Sequence, residues 1–286
     1  MKRVLLTGGS GFIGRNIKDE LAKKCELYIP TRSELNLLDE NKVYEYIEKN
    51  NIEVVIHSAN PNPVKNPLDK ANRMFEDSIR VFLNLQQAEK LYEKLIFLGS
   101  GAEYDKSKDM DMIHEEEFGR SIPYDTYGLI KYNIHKLLEQ SPKMYNLRLF
   151  AVYGPTDHES KFITHVIRSI LENKDITIRQ DCRFDYMHVS DLVDILDYFI
   201  YNKPKYQTYN VCSGKVLYLS EIAEIIKREM NSTNSIIILN EGYNKAYTAN
   251  NERLIKEIKN LEFTDIIDGI CQQIEYERKT YEKKSS

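Results

Sequence analysis

The 286 residues carry 40 basic side chains against 44 acidic ones, a net charge of −4, which excludes the basic surface a nucleic-acid partner requires and shows no acidic tail. No apolar run approaches the length of a membrane span, so no membrane partner is expected. The start MKRVLL imitates a signal peptide, but its apolar run, Val4 to Leu6, is too short and glycines follow at once; the expectation is a cytoplasmic protein.

RVLLT (3–7) has the pattern of a short buried strand, and GFIGRNIKDELAKK continues as a helix with Ile13, Ile17 and Leu21 on one face. Between them Gly8, Gly11 and Gly14 allow a tight turn and close approach of backbone to a pyrophosphate, which the free N–H groups of the helix start would face. This predicts dinucleotide binding, with Phe12 and Ile13 beside the glycines. CELYIPT reads as a second strand, and it ends without the acid that usually binds the ribose hydroxyls of NAD. Arg32 stands there instead, and a guanidinium suits a 2′-phosphate, so NADP (as NADPH) is preferred; Glu34 nearby keeps NAD open. NKVYEYIEKN is helical and IEVVIHSA (52–59) is an apolar strand. Leu37, Ser58 and Ala59 are expected to complete the cofactor crevice. A long helix over about 68–90 leads to the strand LIFLGS (95–100), which ends in Ser100.

Tyr127 and Lys131, four apart, fall on one face of a helix whose apolar stripe is Ile130, Ile134, Leu137 and Leu138, with Pro123 and Asp125 as start signals. The same spacing recurs at Tyr104/Lys108, in a charged loop, and at Tyr201/Lys205, interrupted by Pro204. YNLRLFAVYG (145–154) is the next strand. Strand–helix alternation through this half predicts an α/β fold, a Rossmann-type doubly wound parallel sheet covered on both faces.

After Gly154 the texture changes: a polar loop, the helix KFITHVIRSILEN, short strands DITIR and RFDYMHV, the helix SDLVDILDYFIYN, then TYNVCSG, the helix SEIAEIIKREM, the strand SIIIL and two final helices. We expect residues 1–154 to form the dinucleotide-binding domain, receiving segments from about 183–212, and 155–286 to form mainly an interleaved substrate-binding lid. Cys25, Cys182, Cys212 and Cys271 lack paired metal spacing and read as reduced thiols; no metal is expected.

Ser100, Tyr127 and Lys131 suit ketone reduction. Hydride delivery generates an alkoxide, which a phenol can protonate when a nearby ammonium lowers its pKa, while a serine hydroxyl holds the carbonyl oxygen.

TGGSGFIG, Ser100 and YGLIK together resemble the extended short-chain dehydrogenase/reductase family across nearly the whole chain. The resemblance implies that Tyr127 is the catalytic acid, Lys131 its partner and Ser100 the carbonyl anchor. Within the family, TRSELNLLDE, KLIFLGS, VYGPTD and THVIRSIL are most similar to the GDP-fucose synthase-like reductases of 4-keto-6-deoxy nucleotide sugars. That likeness implies Arg32 at the 2′-phosphate, a catalytic or substrate-facing His165 whose alternative is a packed helix histidine, and a nucleotide-sugar substrate contacted near Ala102 and Glu103. His158, in the preceding polar loop, reads as merely solvated. Ala102 occupies the place of those enzymes' second, cysteine acid/base, which implies reduction without C3/C5 epimerisation. Arg183 would be the diphosphate ligand, one residue out of register with the usual arginine. Analogy with such relatives extends to a homodimer through two packed helices. The rivals are a nucleotide-sugar 4-epimerase or dehydratase of the same family and a non-catalytic dinucleotide sensor.

Overall fold

The computed structural model describes residues 1–60 and 73–285. In chain order the strands and helices are β1 (Arg3–Thr7), α1 (Phe12–Leu21), β2 (Glu26–Tyr28), α2 (Glu40–Lys49), β3 (Val54–His57), α3 (Met74–Gln87), β4 (Lys94–Ser100), β5 (Met110–Ile113), α4 (Thr126–Leu138), β6 (Met144–Leu149) and β7 (Ala151–Tyr153). There follow α5 (Phe162–Leu171), β8 (Ile176–Asp181), β9 (Arg183–His188), α6 (Leu192–Tyr201), β10 (Thr208–Val211), β11 (Val216–Tyr218), α7 (Leu219–Glu229), β12 (Ile236–Tyr243), β13 (Tyr247–Ala249), α8 (Glu252–Glu257) and α9 (Ile266–Ser285). Of the expected helix over 68–90, residues 68–72 lie outside the described residues.

Six strands form one sheet in the order β10-β6-β4-β3-β1-β2, every neighbour parallel. The near-continuous apolar runs of β1, β3 and β4 follow from burial on both faces. One face packs α1 and α6 through Ile17, Leu21, Leu192, Ile195 and Phe199. The other packs α2, α3 and α4 through Val43, Ile47, Phe82, Leu85, Ile130 and Ile134. From β1 the chain goes to β2 on one side and then to β3 on the other, so a crevice opens beyond the carboxyl ends of β1 and β3.

The second half of the chain has a core of its own. Ile163, Val166 and Ile167 of α5 meet Ile222 and Ile226 of α7 and Ile270 and Ile274 of α9. A second sheet has the order β11-β9-β13-β5, with β7 also pairing β9. Of the stretch 183–212, α6 and β10 pack with the first-half sheet, whereas β9 stands in the lid sheet. The expected single strand over 145–154 is two. β6 stays in the six-stranded sheet, and after Phe150 the chain changes partner so that β7 pairs with β9. The Phe150 N–H marks the break by donating to the Val211 carbonyl at 3.1 Å. Among the described residues no helix is long and apolar enough to cross a membrane.

Candidate active site

The turn after β1 is shaped for a bulky anion. Gly8 has a φ of +75°, and a Cβ there would lie 2.6 Å from the Ala59 nitrogen. A Cβ on Gly14 would lie 2.5 Å from the Gly8 oxygen, so the helix can sit this close to the turn only without one. α1 begins at Gly11 with no side-chain cap, which leaves its first N–H groups directed at the crevice. These features fit the pyrophosphate of a dinucleotide. Phe12 and Ile13 are half-buried against the core beneath. Ser58 and Ala59 flank the turn just beyond β3, and the Ala59 N–H donates to Thr7 Oγ1 at 3.3 Å. Leu37 is half-buried, its carbonyl held by Asn84.

Beyond β2, Arg32 is exposed and makes no ion pair among the described residues. Glu34 is occupied elsewhere. Its carboxylate accepts from the Thr31 N–H at 2.7 Å and the Thr31 hydroxyl at 2.8 Å, which hold its pKa below the ordinary carboxylate value.

Ser100 ends β4 and caps a turn of 3-10 helix, Gly101–Tyr104. Its hydroxyl accepts from the Ala102 N–H at 3.1 Å, and its own N–H donates to Glu103 at 3.1 Å. Glu103, expected near the substrate, is turned into the protein interior. It is fully buried, and its carboxylate also accepts from Asn146 at 2.8 Å and from Arg148 Nε at 2.7 Å. Arg148, Asn146 and His135 seal it behind the serine. Ala102 is buried as well, and its methyl can neither take nor give a proton.

Helix α4 starts where Asp125 accepts from the Gly128 N–H at 3.0 Å. This brings Tyr127 beside the Ser100 turn and aligns Lys131 below it. Burial raises the Tyr127 phenol pKa and the Ser100 hydroxyl opposes the rise. The Lys131 ammonium donates to the Leu98 carbonyl at 2.8 Å and lies 5.9 Å from the centre of the Tyr127 ring. Burial pushes its pKa down to about 8. A phenol, a hydroxyl and a cation thus converge at the edge of the crevice, an arrangement able to anchor a carbonyl and protonate the oxygen formed on it.

The neighbouring cleft, about 410 Å³, is lined by Lys106, Phe162, Arg179, Phe184, Lys245 and Tyr247 among others. Arg183 is not among its lining residues. Alternation along β9 sends Phe184 into the cleft, and the Arg183 guanidinium pairs with Asp111 at 2.6 Å. His165 is half-buried on α5, one turn after the cleft residue Phe162. The three cleft cations and Tyr247 were not legible in the sequence, since Lys106 and Lys245 come from loops, Arg179 from the strand β8 and Tyr247 from a three-residue strand, all far apart in the chain. Among the described residues no group of three His, Cys, Asp or Glu side chains gathers to hold a metal.

A family model, NAD dependent epimerase/dehydratase family, matches residues 4–212. The GDP-L-colitose synthase of Yersinia pseudotuberculosis is 26% identical over 252 residues, 79% of this chain and 81% of its own length. The dTDP-D-glucose 4,6-dehydratase of Dictyostelium discoideum is 25% identical over 253 residues, 74% of this chain and 58% of its own length. Among solved structures, a GDP-L-fucose synthetase of Naegleria fowleri superposes with a TM-score of 0.85 at 15% identity, over 98% of this chain and 94% of its own. That likeness shows the fold.

Proposed function

The chain belongs to the NAD-dependent epimerase/dehydratase family, and within it we propose an NADPH-dependent 4-ketoreductase of a 4-keto-6-deoxy nucleotide sugar that leaves C3 and C5 unepimerised. The observation that carries this reading is the pairing of a complete reductive trio, Ser100, Tyr127 and Lys131, with a position beside it that holds no second acid/base. Ala102 is inert there, and Glu103 is sealed under Arg148. When bound, the dinucleotide supplies the hydride that goes to C4. Ser100 holds the carbonyl oxygen, Tyr127 protonates it, and Lys131 sets a positive charge near the phenol as it gives up its proton.

Cofactor choice follows from Arg32, exposed with no ion pair among the described residues and suited to a 2′-phosphate, and from Glu34, whose carboxylate the Thr31 turn occupies. The nucleotide sugar lies in the cleft, where Lys106, Arg179 and Lys245 surround its diphosphate in place of Arg183. The product is read as a precursor for a surface polysaccharide, and the likeness to the GDP-L-colitose synthase supports a nucleotide-sugar substrate. A dehydratase needs an acid available directly after the serine, which Gly101 and Ala102 do not offer.

The test offers this protein several nucleotide sugars, each first treated with a 4,6-dehydratase, and follows NADPH absorbance in heavy water. Consumption of NADPH with little deuterium at C3 and C5 is expected. An inverted product means that another acid replaces the cysteine, and retained NAD with no net NADPH use points to an epimerase. Cofactor binding without turnover of any keto sugar points to a sensor.

A further inference from the structure

Asn146 and Arg148 are polar residues on an interior strand. They stand two apart on β6, so both side chains leave the same face of the sheet, in register with Phe97 and Gly99 of β4. Both are buried, and a buried arginine needs an anionic partner. Glu103 is that partner, and Gly99 leaves the room for it. A Cβ on Gly99 would lie 2.4 Å from Glu103 Oε1 and 2.1 Å from Asn146 Oδ1. The two carboxylate oxygens have different partners. Oε2 accepts from Arg148 Nε and from Asn146, while Oε1 accepts from the Ser100 N–H.

Pairing with Arg148 engages only Oε2. Oε1 closes a capping box, in which Glu103 holds the Ser100 N–H while the Ser100 hydroxyl accepts from the Ala102 N–H at 3.1 Å. That second bond fixes where the serine oxygen stands and fills one of its lone pairs, and the single hydroxyl proton stays free to donate. We propose that Glu103 is the positioning residue of Ser100, its carboxylate anchored by Arg148 so that the cap holds the serine oxygen where the substrate's carbonyl oxygen is received. The proposal rests on the reductase reading above. A buried ion pair that only supports the fold can be exchanged for apolar side chains without loss of function. This pair cannot, because the exchange also releases the serine.

Two variants test this. In Glu103→Gln a single oxygen remains, and the charged Arg148 donor should claim it, which turns the amide NH2 against the Ser100 N–H. In the double variant Glu103→Leu/Arg148→Met the ion pair is gone, Asn146 keeps His135 and Tyr104 keeps Asn210, so the fold should keep its stability while Ser100 loses its anchor. Hydrogen exchange of the Ala102 amide, with no sugar present, reads the cap. It should quicken about tenfold or more in both variants, while amides of β1 and β3 in the double variant keep wild-type rates. Wild-type protection of Ala102 overturns the proposal. Should Glu103→Gln fail to fold, the double variant decides, and a double variant that does not fold makes Glu103 a support of the fold and overturns the proposal too. This readout needs no sugar, so a wild type that reduces no 4-keto sugar sinks the reductase reading alone. With substrate, the double variant should lose about tenfold in kcat, with KM and dinucleotide affinity nearly unchanged. In a Ser100→Ala background the same exchange should cost nothing further, whereas equal loss in both backgrounds shows that Glu103 does not act through Ser100.

Discussion

Tyr127 and Tyr104 each stand four residues before a lysine, and the structure gives the two phenols opposite surroundings. Tyr127 adjoins Ser100 and Lys131 at the crevice. Tyr104 is buried, donates to Asn210 at 2.7 Å and accepts from Arg148 at 2.6 Å. Tyr127→Phe should therefore cost roughly a hundredfold or more in kcat with binding kept. Tyr104→Phe should cost about 1–3 kcal/mol in urea unfolding by leaving Arg148 and Asn210 short of a partner, with turnover per folded molecule largely kept. Near-normal turnover in Tyr127→Phe refutes its assignment as the acid. At Arg32 the expected outcome is selective: Arg32→Ala should weaken NADPH binding by about 1.5–3 kcal/mol and leave NADH binding nearly unaffected. Equal losses, or a wild-type preference for NADH, would defeat the NADPH reading. Ser100, Tyr127 and Lys131 were legible because spacing, strand end and helix start all pointed to one edge of a sheet. Glu103 was misread because nothing local announces a buried arginine 45 residues away.

At the scale of elements, the parallel sheet was legible and the lid sheet was not. β1, β3 and β4 are mostly apolar runs buried on both faces, a pattern that stands out against the polar loops, and β6 is buried throughout although Asn146 and Arg148 interrupt its apolar residues. β5, β11 and β13 have only three or four residues each, and partners far along the chain define them. The change of partner at Phe150 was hidden for the same reason, since β6 and β7 read as one continuous strand. What binds lid, serine turn and catalytic helix together is close packing between elements. In α4, a Cβ on Gly128 would lie 2.7 Å from the Ala102 carbonyl oxygen and 2.8 Å from Pro123. Alanine in a helix ordinarily stabilises by up to about 1 kcal/mol relative to glycine. Gly128→Ala should forfeit that gain, because α4 must move away from the serine turn and carry Tyr127 with it. The expected result is a lower midpoint in thermal unfolding and a fall in kcat larger than the change in KM. A stabilised, fully active Gly128→Ala protein would show that the helix and the turn need not touch.

Over the whole molecule, burial decides how stability responds to acid. His57 ends β3 beneath the glycine turn, stacked on Phe97 at 5.7 Å, with Thr7 Oγ1 2.8 Å from its Nδ1. Burial and the nearby Lys131 charge hold its pKa at about 3, below the ordinary value of 6.5. Between those two values the unfolded chain binds a proton that the folded chain refuses. Its contribution is therefore complete above pH 6.5 and declines as the pH falls toward 3. His188, lowered to about 4 by burial, acts in the same direction, and Asp157, raised to about 6, acts in the opposite one. These groups are common to the wild type and a His57 variant, so the difference between the two proteins isolates His57. In urea unfolding at pH 7 and pH 5, His57→Gln should lose less stability across the interval than the wild type does, by about 2 kcal/mol. Parallel pH slopes in the two proteins would show that the fold does not hold the His57 proton off.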